Sequence, residues 1–188
     1  MRHGVVLLAV ASLALVGVAN ASVQQGDTEL DFLAGFESNN GDGGNGNSVD
    51  LFAEIGLGYF LTDNIQAGVS LGVDWTDEDS TGGAGGYESV GYGLGLFGKY
   101  HFMPTNQWVP YVGGRVGYSW DKTDYDTAGV GDDTYDGTWY GPIAGVRFEL
   151  NENNDFYAEY RYTLYGGDYN DTNDETHAVL VGIIHQFK

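Results

Sequence analysis

Acidic side chains crowd two segments of this 188-residue chain. Asp121, Asp124, Asp126, Asp132, Asp133 and Asp136 fill one, and Asp168, Asp171, Asp174 and Glu175 the other. Oxygen ligands at this density suit calcium or magnesium. The spacing never follows the Asp-x-Asp/Asn-x-Asp/Asn-Gly loop with its closing Glu, so these segments read as solvated, mutually repelling loops. No metal ligand and no cofactor is assigned. His101, His177 and His185 fall near different ends or parities of alternating segments. A Ser/His/acid triad is assembled in space, and nothing in the linear order brings one together, so no catalytic residue is assigned either.

A third set of ionisable groups is more regular. Glu54, Asp74, Lys99, Arg115, Arg147, Glu149, Glu159 and Arg161 all sit within stretches of period-two alternation, on the parity opposite to the apolar residues. In the stretch from 65 to 75, Ile65, Ala67, Val69, Leu71, Val73 and Trp75 oppose Gln66, Gly68, Ser70, Gly72 and Asp74. Near 90, Val90, Tyr92, Leu94, Leu96, Tyr100 and Phe102 oppose Gly91, Gly93, Gly95, Lys99 and His101. A continuous apolar face against a glycine-rich, charged one is the pattern of a barrel wall with lipid outside and a polar interior. Lone charges in such an interior are costly, so the eight ionisable residues are expected to form a hydrogen-bonded lumen network. Arg147 and Glu159 share the inward parity and flank one turn, which predicts that they pair.

The elements that carry these residues are strands near 29–38, 49–60, 65–75, 88–102, 109–120, 138–150, 155–165 and 177–187. Tight turns join the second to the third, the fourth to the fifth and the sixth to the seventh. Long links over 39–48, 76–87, 121–137 and 166–176 join the others. Short turns at one end and long loops at the other describe an all-β, eight-stranded antiparallel transmembrane β-barrel, an up-and-down meander with both chain ends on the periplasmic side. Much of the high glycine content, 31 residues, falls at inward positions, where small side chains leave room for Arg and Lys crossing a narrow lumen. Trp75, Trp108, Trp120 and Trp139 lie at or beside strand ends, as do Tyr59, Tyr100, Phe102, Phe156 and Tyr165, which predicts two aromatic girdles. Pro142 removes a ladder hydrogen bond inside the sixth strand, so a bulge or a strand end is expected there.

Composition agrees with export. A basic Met1-Arg2-His3, an apolar run from Gly4 to Val18 and the small-x-small Ala19-Asn20-Ala21 fit a secretory signal over 1–21, cleaved to leave one domain over 22–188. There is no cysteine. Seven Lys/Arg stand against 27 Asp/Glu, a formal net charge of −20 that repels polyanions, so nucleic acid is excluded as a partner.

Leu57-Gly58-Tyr59-Phe60-Leu61-Thr62-Asp63-Asn64-Ile65, Phe97-Gly98-Lys99-Tyr100-His101-Phe102, Val109-Pro110-Tyr111-Val112-Gly113-Gly114 and the closing Gly182-Ile183-Ile184-His185-Gln186-Phe187 resemble the small outer-membrane β-barrel proteins of the OmpA and OmpX type, often labelled porin-like. The resemblance covers essentially the mature chain. It implies a Gram-negative outer-membrane location, contact with outer-membrane lipid and lipopolysaccharide, and a monomer. It also implies handling by periplasmic chaperones and the barrel-assembly machinery, with Phe187 as the assembly signal although Lys188 follows it. Its functional implication is a non-enzymatic protein that supports envelope integrity and makes surface contacts through acidic extracellular loops. The alternatives are a narrow porin-like channel for ions or small solutes and a lipid A-modifying enzyme, for which no His-x-Ser-Asn run of the deacylase type is present.

Overall fold

The computed structural model describes residues 23–40, 47–79, 86–125, 133–167 and 175–187. The signal segment 1–21 lies outside them, as do Asp126, Asp132, Asp168, Asp171, Asp174 and Lys188. The eight strands are β1 (Thr28–Asn40), β2 (Asn47–Phe60), β3 (Ile65–Asp79), β4 (Tyr87–His101), β5 (Trp108–Tyr125), β6 (Asp133–Asn151), β7 (Asn154–Gly167) and β8 (Glu175–Phe187). Each pairs antiparallel with its sequence neighbour, and β1 pairs with β8 to close the barrel. Closure removes the edges that an open sheet would expose to lipid, where unpaired amides find no water.

Sidedness follows the alternation. Leu57, Val69, Leu71, Leu94, Leu96 and Val116 are between 44% and 63% exposed on the outside of the wall. Glu29, Gln66, Lys99, His101, Arg147, Glu159, Arg161 and Gln186 are buried inside it. A protein folded against water would invert this arrangement; hydrocarbon as the surrounding solvent explains it.

Two expectations change. The segment 121–137 is not all loop: β5 runs to Tyr125 and β6 starts at Asp133, so Asp121, Asp124, Asp133 and Asp136 belong to a hairpin that continues the ladder. Backbone pairing extends a hairpin past the apolar band because each further pair satisfies two amides wherever the side chains point. Pro142 produces neither a bulge nor a strand end. The β6–β7 ladder omits Gly141 and Pro142 and resumes in the same register, because the missing N–H removes the pairing on that side alone while Gly114↔Pro142 holds on the other. The register shift falls instead between Glu149 and Asn151, beside the turn.

Close approach of the strands makes some glycines irreplaceable. A Cβ at Gly141 would strike the main-chain oxygen of Tyr162, whereas at Gly93 the nearest atom is 3.8 Å away. Gly141→Ala is therefore expected to lower stability by about 1–3 kcal/mol and Gly93→Ala to change it by less than about 0.5 kcal/mol, read as the urea midpoint of the refolded barrel. Equal midpoints for the two variants would contradict the packing.

Candidate functional site

The lumen holds charged side chains from β1 to β7, with the Gln186 amide from β8, stacked in tiers. At the end with the short turns, Arg147 from β6 sits between Glu29 of β1, 2.7 Å away, and Asp155 of β7, to which its Nε donates at 2.6 Å. Gln66 Nε2 donates to the second Glu29 oxygen at 2.8 Å, His101 Nε2 lies 3.2 Å from Gln66 Oε1, and Gln186 Nε2 donates to Asp155 at 3.3 Å. All of these groups are buried.

The middle tier is built around Glu159. Tyr111 Oη donates to it at 2.9 Å and Arg161 Nε at 2.6 Å, and Lys99 Nζ stands 3.6 Å away. Lys99 also reaches Asp31 at 3.2 Å. Arg161 continues the chain upward as a fork, its Nη1 and Nη2 donating to Glu54 at 3.1 and 2.7 Å. Arg115 Nη1 lies 3.6 Å from the same carboxylate, and its guanidinium stacks on the Trp139 ring at 4.0 Å. Lys99, Arg147 and Arg161 each have a counter-charge and directional hydrogen bonds, the condition under which ions persist away from water, while Arg115 is held by its contact with Glu54 and by the Trp139 ring.

Pairing departs from expectation at several positions. Arg147 and Glu159 do not pair. The register sets Arg147 opposite Tyr157 and Glu159 opposite Gly145, which leaves Arg147 against Asp155 and carries Glu159 to Lys99 and Arg161. Asp74 does not neutralise the lumen cations. It lies nearer the opposite mouth and leans with Asp121 over Gly91, where a Cβ would run into both carboxylates. Glu149 is buried, its amide donating to Gln107 O beside the turn. Trp139 is not a girdle residue: it is 6% exposed and points into the lumen. It shares the odd parity of β6 with Gly145 and Arg147, and its ring occupies the space left by Gly95 and Gly117, where a Cβ would collide with it.

The other tryptophans face outward. Trp108 is 58% exposed and packs on Phe148 at 4.5 Å, and Trp120 lies edge-on to Tyr118 at 5.0 Å. Trp75 donates from Nε1 to Glu88 at 2.8 Å. Phe187 is half exposed and edge-on to His185 at 4.8 Å.

The network also contains Glu29, Asp31 and Asp155, three residues beyond the eight the sequence pattern assigns to it. Glu29 and Asp31 alternate with the apolar Leu30 and Phe32, and Asp155 shares parity with Glu159 and Arg161. At the far mouth Thr76 Oγ1 donates to Asp50 at 2.7 Å, and the Tyr87 phenol, at the outer end of β4, is pushed up to about 12 by burial and by its hydrogen bond to Glu78. The long-loop end of the lumen is thus acidic, and its middle and opposite end are filled by ion pairs. Among the described residues no group of three or more His, Asp or Glu side chains is arranged to hold a metal ion.

The family model described as "Outer membrane protein beta-barrel domain" matches residues 8–187. No curated protein matches the sequence. Among solved structures, Neisserial surface protein A is similar at 20% identity and a TM-score of 0.59, over 86% of this chain and 96% of that one. OprG from Pseudomonas aeruginosa is similar at 14% identity and a TM-score of 0.53, over 90% and 99%. The N-terminal β-barrel domain of Pseudomonas aeruginosa OprF is similar at 18% identity and a TM-score of 0.50, over 87% and 99%. At these identities the likeness is one of fold.

Proposed function

Because the chain belongs to the outer membrane protein β-barrel domain family and resides in the bacterial outer membrane, we propose that it is a non-enzymatic, monomeric barrel that supports envelope integrity and presents an acidic rim for surface contacts. Its partners on this reading are outer-membrane lipid and lipopolysaccharide, with periplasmic chaperones and the assembly machinery acting during biogenesis. The observation that carries the proposal is the tiered charge network. Arg147, Lys99, Arg161 and Arg115 and their carboxylates cross a lumen that eight strands make just wide enough for side chains to fill. A plug of this kind rigidifies the wall and blocks passage from end to end. Exposed Asp77, Glu88, Asp124, Asp133 and Glu175 make the rim acidic, in keeping with the net charge of −20.

Planar-bilayer recording of the refolded protein tests the plug. The wild type is expected to be silent, and the double variant Glu54→Ala/Arg161→Ala to show discrete openings, because that fork joins the middle tier to the upper one. A stable open level in the wild type would favour the narrow-channel alternative and overturn the proposal.

A further inference from the structure

The two mouths of the barrel are covered to different degrees. Toward the long links, Asp50, Thr76, Tyr87 and Asp121 face inward in the outer parts of β2 to β5 and stay half-buried. Toward the short turns the inward residues are buried up to the ends of the strands. Glu29 and Val109 stand second in β1 and β5, Phe60 and His101 last in β2 and β4, and Gln186 next to last in β8, and all five are buried. Charged and amide groups at the last positions before an open mouth would be wetted, so a further part of the chain lies beneath them.

The segment that leads into β1, residues 23–27, reaches that position. Gln24 to Asp27 make a tight turn: Asp27 N donates to Gln24 O at 3.1 Å and Gln24 N to the Asp27 carboxylate at 2.9 Å. Gly26, third in the turn, takes a φ of 98°, a conformation that residues with a side chain rarely adopt. The turn sits on the end of β2 and on the β2–β3 turn. Gly26 N donates to Phe60 O at 3.0 Å, Gln25 N to Asp63 Oδ1 at 2.9 Å and Gln25 Nε2 to Leu61 O at 3.0 Å. Ahead of it the chain leaves the neighbours of β1 altogether: Val23 N donates to Pro104 O in the β4–β5 turn at 3.3 Å, and Val23 is 3% exposed. The two turns that receive the segment are tied to each other. Asn64 Nδ2 donates to His101 O at 2.7 Å, and His101 N to Asn64 O at 2.8 Å.

We propose that residues 23–27 are a latch that closes the short-turn mouth of the lumen, carrying the chain from the β4–β5 turn to β1 and holding water off the Arg147 tier. Gln24, Gln25 and Gly26 are exposed, so the latch is tied by hydrogen bonds in contact with water and by one buried side chain. Segments held so lightly open locally while the rest of a fold stays intact. Opening bares Phe60, His101 and Val109 and gives Glu29, Arg147 and Asp155 a route to water. The latch goes beyond the envelope role and is separate from the ion-pair plug, because its anchors Leu61, Asp63 and Pro104 lie in the turns below the tiers. The plug can prove leaky with the latch shut, and the latch can open with the plug intact.

The test uses the absence of cysteine. Val109→Cys places a thiol just inside the latched mouth, and Ser70→Cys places one in the upper lumen, where Ser70 and Trp139 both border Gly95. Membrane-extracted protein is reacted with iodoacetamide, and folding of each variant is verified by heat-modifiable gel migration. Two changes release the latch: Val23→Asp puts a charge where the buried valine sits, and Gln25→Pro suits its turn position but removes the N–H bound to Asp63. Each is expected to raise the rate at position 109 by about tenfold, the shift in open population that loss of a hydrogen bond or of a buried side chain produces, and to leave position 70 unchanged. A rate at position 109 that is the same with the latch intact and released overturns the proposal. So does equal acceleration at both positions, which would show that the whole barrel had loosened, and so does a thiol at 109 that reacts in the otherwise unchanged chain as fast as in urea.

Discussion

Arg147→Met is expected to cost the folded barrel about 3–5 kcal/mol, since removing one member of a buried ion cluster strands its partners without counter-charge. The guanidinium sits between Glu29 and Asp155, and all three side chains are within 5% of complete burial. Methionine keeps most of the volume, so lost packing contributes little and the cost is electrostatic. Urea unfolding of the refolded protein measures it. The corresponding rescue sharpens the test: adding Glu29→Gln and Asp155→Asn to Arg147→Met should recover a large part of the loss, because the neutral amides no longer require a cation. If the single variant unfolds at the wild-type midpoint, Arg147 is not the pivot of its tier.

Trp139→Ala is expected to be comparably damaging, about 3–5 kcal/mol, through the cavity left by a buried indole. The cost should sit near the upper part of that range because the seat is made of glycine. Gly95 and Gly117 carry no side chain that could move in to fill the space, and Arg115 loses the ring on which it stacks. Trp120→Ala is the control. Trp120 is 46% exposed on the lipid face, where acyl chains replace the contacts the ring gives up, so its removal should cost much less. Equal losses at the two positions would mean that Trp139 does not face the lumen.

These residues also show how much could be read along the chain. Strand number, the alternation of tight turns with long links and the inward parity of Lys99, Arg115, Arg147, Glu159 and Arg161 all follow from a period of two, a local property that each strand displays without its neighbours. For Trp139 two local signals conflict: its position near a strand end points to a girdle, while the odd count that turns Arg147 inward turns Trp139 inward as well, and the packing follows parity. Asp155 and Glu29 are harder to assign because they stand at strand starts, where alternation has barely begun to register.

Parity assigns a side chain to the lumen, and in this chain composition and turn spacing carried that assignment to a membrane barrel with its charges inside. Parity contains no information about height or bearing within the cylinder. Those are set by the stagger accumulated around eight tilted strands, by the register shift beside the β6–β7 turn and by the place where the last ladder stops. For that reason Arg147 meets Glu29 from the far end of the sequence instead of Glu159 across its own hairpin, and the β1–β8 ladder ends at Ala34↔Val181, where nothing in the period-two pattern marks a break. Contacts between residues distant in sequence exist only once the barrel has closed, and closure is a property of the whole sheet.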